Sequence, residues 1–553
     1  MNKQPRKSDG ATFRFRRGMD VGSIEAETDG KFLEKAFLDA GYLDVLRDTA
    51  NPRSIVVGRT GVGKSALLLQ MQRTPGRVIR IRPESLSLHY ISNSTMLPQL
   101  ADMGVHLELF YKLLWRHVFV VELLGSHYDI RSPEVQDDFL SRIVPSWIRN
   151  RGRKKRAVSY IQTWGKTFWQ DTEERVKELI RHLETELQSE LGFDFAPLKG
   201  STGGREKNEV TVTSEIITRA QNVISKIQIS DLDHALEMIR EEVLADEYKP
   251  YYVLVDDLDK AWVDRRFAYD LIAALLQEAG EFARLPNVKI VVALREDIVE
   301  AMLIPGRRAR GQQREKIESL FLRPVWTEQE LIEMMDARIS ELFRGPHGQS
   351  LTLEAVLPTS KNASRKTGVE YILERTALRP RDVIRFVNLC IAKAAPTGTI
   401  SWETITQAEE TYSRESLRAL IDEWADTFPG IEVLFSAFEH MDDDFVLADI
   451  KPARLECIWA AAESSTNEAS EPNIFYQIAL KASVEDAAAE IVRRLYRVGF
   501  FGVKLTPEHE VRYSYQDRDL LENGLRPESR VFFHPSLYDA LGVGKPARQG
   551  RRR

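Results

Sequence analysis

The chain has 553 residues, 43% hydrophobic and 29% charged, with a net charge of −6. It is too long for a single core, so about three structural units of ordinary globular composition are expected. No apolar run reaches membrane-spanning length and the basic, polar N-terminus has no apolar signal core. The two cysteines, Cys390 and Cys457, lack metal-ligand spacing, so the expectation is a cytoplasmic protein with reduced thiols and no membrane partner.

Residues 1–28 read as a flexible leader, followed by one helix from Lys31 to Leu46 with Phe32, Leu33, Ala36, Phe37, Leu43 and Leu46 on its apolar stripe. Asn51-Pro52 ends it and leads into an apolar strand, Ser54 to Val57. Then comes Gly58-Arg59-Thr60-Gly61-Val62-Gly63-Lys64-Ser65, a full G-x-x-x-x-G-K-[ST] phosphate-binding loop, and a helix opening on Ala66-Leu67-Leu68-Leu69. Glycines let such a loop curl so that its N–H groups point at phosphate oxygens, and the helix adds its positive end. Gly58 through Ala66 are therefore the expected nucleotide site, with Lys64 on the β- and γ-phosphates and the Ser65 hydroxyl on Mg²⁺.

A second strand is expected at Val78–Ile81. Residues 101–190 read as helical with breaks near Pro133 and Pro145, and Asp171–Leu191 is amphipathic through Val176, Ile180, Leu183 and Leu187. Residues 196–210 read as a loop. The strand Tyr251–Val255 ends in Asp256-Asp257. Asp256 is placed to hold Mg²⁺ with Ser65, and Asp257 to orient and polarise the attacking water. A covering helix, Arg266–Phe282, precedes the strand Val288–Leu294, which ends at Arg295. Arg295 either senses the γ-phosphate or pairs with Glu296 or Asp297. The basic loop Gly306–Gly311 either lends an arginine to a neighbouring subunit or does nothing of the kind, and Thr327 with Glu330 marks a helix start. Beyond about 425, a helix over Val484–Val498 is broken by Gly499 and followed by strand-like runs, Phe500–Leu505 and Val511–Tyr515. That profile is winged-helix-like, with Arg493, Arg494 and Arg497 outward and Asp442-Asp443-Asp444 nearby.

Basic patches occur at Lys3–Arg17, at Arg149–Arg156 and at Arg551–Arg553. They are either solvated segments or contacts to nucleic-acid phosphates, and the sequence leaves both open.

The order of these pieces resembles the AAA+-like and STAND-like phosphate-loop ATPases, and more narrowly is similar to the bacterial FunZ-type ATPases. The stretches that carry the resemblance are Gly58–Ser65, Asp256–Trp262, Arg379–Asn388, Tyr412-Ser413 and Leu495–Phe500, within about 30–540. The resemblance implies ATP and Mg²⁺ as cofactors, Asp257 as the acid near the water, and Arg379 or Arg381 as a lid arginine reaching the nucleotide. Many AAA+ relatives carry Glu where this chain has Asp257; a carboxylate misplaced by about 1 Å can lower a rate roughly a hundredfold, so slow hydrolysis is expected. No guanine-reading Asn-Lys-x-Asp motif follows a suitable strand, which favours ATP over GTP.

The expected fold is α/β, with a three-layer parallel-sheet phosphate-loop (ASCE-type) NTPase core. The leader (1–28) gives way to the core's first half (29–100), a helical insertion (101–248), the core's second half (249–325), a helical lid (326–424), a winged-helix-like domain (425–545) and a basic tail (546–553). The expected function is an ATPase switch that assembles with itself or a protein effector. The absence of nuclease, protease or TIR-like residues places the output in a partner, and the resemblance suggests a setting in defence against phage or mobile DNA. The alternatives are a DNA-engaging ATPase using the C-terminal module and basic patches, and a nucleotide-binding scaffold with negligible turnover.

Overall fold

A computed structural model describes residues 14–83, 96–127, 172–191, 216–224, 236–244 without 238, 249–303 without 261, 311–347, 351–360, 365–395, 398–450, 452, 455–456, 459, 483–521 and 524–544. The basic run at 149–156, the loops at 196–210 and 304–310, the residues before 14 and the tail after 544 lie outside the described residues. Two compact units emerge: a sheet unit, Gly41–Gly58 with Lys64–Pro324, and a helical unit, Met1–Ala40 with Arg59–Gly63 and Val325–Arg553.

The sheet unit is built on five parallel strands: β1 (Ile55–Gly58), β2 (Arg77–Ile81), β3 (Tyr251–Val255), β4 (Val288–Arg295) and β5 (Phe321–Leu322), in the order β2-β3-β4-β1-β5. Parallel strands covered on both faces read as unbroken apolar runs, which is why β3 and β4 stand out in the sequence. Ile55, Val57, Val253, Val255, Ile290 and Val292 share one core with the helices Glu108–His127 and Arg265–Phe282. Within it the Trp115 indole donates to Leu271 O at 2.8 Å. The other face is covered by the helices Tyr42–Arg47 and Lys64–Met71, giving the three layers of a phosphate-loop NTPase. Lys289, an exception in an apolar strand, points its amine at the carbonyls of Val45, Asp48 and Asn51 (2.6, 2.7 and 3.0 Å) and so ties the turn before β1 to β4. Helix Thr172–Leu191 buries Ile180, Leu183 and Leu187 in the same core, as a packing helix does.

The helix expected over Lys31–Leu46 is instead two, α1 (Gly30–Lys35) and α2 (Tyr42–Arg47). Gly41 takes a left-handed conformation (φ 85°), which ends any continuous helix there; its apolar periodicity persists across the break by coincidence of spacing. The part of the expected leader that the structure describes also departs from expectation. Phe15 and Val21 are buried in the core of the helical unit, and Asn388 bridges Val21 N–H and Gly22 O at 2.9 Å each. Two isolated apolar anchors leave no periodic trace in a sequence.

The helical unit has two cores. One gathers Phe15, Leu331, Met335, Ile384, Phe386, Ile405 and Tyr412; the other gathers Leu420, Trp424, Phe438, Ile491, Phe500, Phe501 and Phe533. Helix Trp402–Trp424 feeds both, starting from a capping box at Ser401 and Thr404. The helix Glu328–His347 begins with Thr327 and Glu330 in reciprocal side-chain-to-backbone bonds (2.7 and 3.2 Å), as the sequence predicts. The second core backs an antiparallel sheet of four strands, β6 (Asp444–Val446), β7 (Phe501–Lys504), β8 (Arg512–Tyr513) and β9 (Arg530–Phe533), ordered β6-β9-β7-β8. The helix Val484–Val498 closes on Gly499 at φ 86°. The sequence reading finds β7 and β8 but not β6 or β9, because β6 is three residues long and opens inside the acidic run Asp442–Asp444.

A buried ion pair locks the N-terminal segment into this unit. Asp29 and Arg338, each 4% exposed, meet at 2.5 Å, with Ser23 N–H also on Asp29 (2.8 Å) and Arg338 also on Val21 O (2.9 Å). Asp29→Ala leaves the guanidinium buried without its counter-charge. The expected loss is about 3–5 kcal/mol, read from urea unfolding of wild type and variant.

Candidate nucleotide-binding site

At the C-terminal end of the parallel sheet, β1 stops at Gly58 and the helix resumes at Lys64, whose amine donates to Gly58 O at 2.8 Å. The strand register sets Gly58 beside Arg295. The Ser65 side chain lies beside Asp256, one residue past the end of β3 and 6% exposed, and favours its carboxylate form. Burial pushes the Asp256 carboxyl above its ordinary range, against the pull of the Asp257 N–H (2.9 Å), Ser65 and Arg80 (3.9 Å). Its second oxygen, Oδ2, is buried and accepts no hydrogen bond. A buried carboxylate oxygen that accepts no hydrogen bond, with Arg80 no nearer than 3.9 Å, beside a serine hydroxyl is a donor set that suits a hard divalent cation. Among the described residues no group of three or more His, Cys, Asp or Glu could hold a metal, so an ion here would need further oxygens such as nucleotide phosphates or water.

Asp257 takes a left-handed backbone (φ 64°) and its carboxylate lies 3.4 Å from the Lys260 amine. Arg295 is engaged by two acids: Nε and Nη2 donate to Asp297 at 2.8 and 3.0 Å, and Nη1 donates to Asp259 at 3.1 Å. The pairing with Asp297, read in the sequence as the alternative to phosphate sensing, is therefore present. Asp259 is an addition the sequence reading did not make. Arg80 was missed as well, although a charged residue inside β2 is a signal the strand pattern contains.

The middle of the loop, Arg59–Gly63, belongs to the helical unit. Gly61 (φ 86°) and Gly63 (φ 103°) make its curl, and a Cβ on Gly61 would come within 2.6 Å of the Arg381 Cβ, so only glycine fits there. Arg381 N–H donates to Gly61 O (3.3 Å), Arg379 Nη1 to Thr60 O (3.0 Å), and the Trp326 indole to Val62 O (2.9 Å). Thr60 N–H donates to Glu423 Oε1 at 2.8 Å. Arg379 stands at the N-cap of helix Pro380–Ala394, pairing with Asp382 (2.8 Å) and Glu423 (3.6 Å). Burial alone would lower Arg379, but these two carboxylates outweigh it and hold the guanidinium charged. Arg59 is lowered to about 10 by burial and by Arg379, with Glu423 at 3.9 Å opposing. Burial also lowers Arg381. Thus Arg379 and Arg381 are brought to the loop, Arg379 by its side chain. Glu423 and Trp326 carry no motif and were not found from sequence. Ala66, the last residue expected in the site, lies in the first turn of the loop helix.

Residues 329–421 match the sequence family of the FunZ-associated C-terminal helical domain. The chain is similar to the putative transposon gamma-delta 80.3 kDa protein of Escherichia coli (strain K12), with 23% identity over 548 residues, covering 95% of this chain and 67% of that protein. Among solved structures it matches Cdc6p from Pyrobaculum aerophilum at 12% identity and TM-score 0.29, over 93% of this chain and 96% of that one. No helix among the described residues is long and apolar enough to cross a membrane.

Proposed function

We propose that this chain, which carries the FunZ-associated helical domain and is similar to FunZ-type phosphate-loop ATPases, binds ATP with Mg²⁺, hydrolyses it slowly, and acts as a nucleotide-dependent switch in assembly with itself or a protein effector. The observation that carries the reading is the loop Gly58–Ser65 between β1 and its helix, with the Ser65 side chain beside the buried Asp256. Lys64 would release Gly58 O for phosphate oxygens and fix the triphosphate. Ser65 and Asp256 would hold Mg²⁺, which supplies charge neutralisation at the phosphates when bound. Asp257 would orient water. Arg295 would serve charge developing on the phosphoryl group if it exchanged Asp297 for it, and the resemblance makes Arg379 or Arg381 the lid arginine that would reach the nucleotide.

The Escherichia coli relative is named as a putative transposon protein; a second reading is an ATPase that engages DNA through the C-terminal module and basic residues. Against a wholly basic surface there, Arg493 and Arg494 are both paired with Glu490 (3.5 and 2.7 Å). Steady-state hydrolysis with and without duplex DNA, with mass measured alongside, separates the two. Slow turnover that EDTA abolishes, indifferent to DNA and accompanied by an ATP-driven mass increase, is expected. Turnover raised by DNA and falling steeply with salt would transfer the case to the second reading. Absence of ATP binding would overturn both.

A further inference from the structure

We propose that Glu423 is a positioning residue for the phosphate loop and that, with Arg59, it ties the loop's conformation to the C-terminal four-stranded module. The inference rests on the loop binding ATP. Thr60 is gripped at both backbone groups: its N–H by the Glu423 carboxylate (2.8 Å) and its C=O by Arg379 (3.0 Å). Glu423 is itself 6% exposed and has the guanidinium groups of Arg379 and Arg59 at 3.6 and 3.9 Å. One buried carboxylate thus faces two arginines and a loop amide, sharing Arg379 with the closer Asp382 (2.8 Å), a charge-assisted arrangement away from solvent.

Its position on the helix gives the grip a second end. Trp424, next in sequence, is fully buried and stacked on Phe428 (5.5 Å between rings) in the core behind the antiparallel sheet. From the loop side, Arg59 reaches the same module. A Cβ on Gly499, the left-handed residue joining helix Val484–Val498 to β7, would run into the Arg59 guanidinium. A loop that shifts when phosphates fill it therefore moves Arg59 against Gly499 and Glu423 beside Trp424. The module reads nucleotide state through these two side chains.

The test is amide hydrogen exchange of the full chain with and without Mg-ATP, beside calorimetric ATP affinity, for wild type, Glu423→Gln and Arg59→Gln. In wild type, ATP is expected to change protection over 58–66 and also over 420–430 and 495–504. In each variant ATP still binds, with Kd raised about tenfold. The response at 495–504 is lost while that at 58–66 remains, a split that a merely structural role would not produce. Glu423→Asp, which keeps the charge, is expected to recover part of the response. ATP binding by wild type with no change at 495–504 overturns this inference alone, as does an unaltered Kd and response in both variants. Failure of wild type to bind ATP overturns the nucleotide reading and this inference with it.

Discussion

Lys64→Ala is expected to lower ATP affinity by about a hundredfold or more and to reduce hydrolysis to background, while leaving the fold intact. The asymmetry follows from the position. Lys64 opens the helix Lys64–Met71, and alanine is at least as good a helix former, so the helix loses nothing by the exchange. Its amine donates to Gly58 O at 2.8 Å, on a partly exposed residue whose carbonyl water can satisfy, so losing that bond should cost about 1 kcal/mol. No other cation of the motif stands at the start of that helix. The triphosphate would lose a lysine contact at a place where the helix end supplies only partial charge. Calorimetric titration with Mg-ATP, beside thermal unfolding of the ligand-free variant, checks both halves. A variant that binds ATP as wild type does would move the nucleotide away from Gly58–Ser65.

The parts of this arrangement that sequence revealed are those with local signatures. The loop has a fixed spacing, β3 and β4 are apolar runs, and each leads into a polar residue, Asp256 just past the end of β3 and Arg295 at the last position of β4. Once the strands are parallel, the ends must lie on one edge of the sheet, so the meeting of Ser65 with Asp256 follows from pattern and topology together. The insertion of β4 between β1 and β3 has no such signature, because strand order depends on long crossovers. β5 is only two residues long and was invisible for that reason.

What remained hidden is mostly long-range polar pairing. Glu423 meets Thr60 across 363 positions and Arg338 meets Asp29 across 309, and no period or spacing encodes either. A buried charge looks like any other charged residue in a helix until its partner is known. Lys289 could have been noticed, since an ammonium within an apolar strand must find acceptors, and it finds three carbonyls. The left-handed Asp257 could not, because aspartate enters that region without announcing it.

That backbone gives the second large prediction. Asp257→Asn is expected to lower kcat by about a hundredfold or more with ATP affinity within about twofold, because the carboxylate that would orient and polarise water is removed while the phosphate contacts stay. Asparagine enters the left-handed region as readily as aspartate, so at φ 64° the exchange changes charge without straining the chain. The Asp257 N–H can keep its 2.9 Å bond to Asp256, and the pair lost to Lys260, itself half exposed, is worth little. The same geometry bears on why the residue is not glutamate. A short side chain that can bond its own backbone tolerates φ 64°, whereas a longer one pays the ordinary left-handed penalty of about 1–2 kcal/mol. Asp257→Glu should therefore lower stability by that order even where it extends the carboxylate toward the water, so rate and stability are expected to move independently. Single-turnover hydrolysis with ATP affinity and urea unfolding measured on the same three proteins resolves the two. If Asp257→Asn turns over as wild type does while Lys64→Ala loses binding, the site is a nucleotide-holding scaffold and the water must be activated, where it is activated at all, by another group.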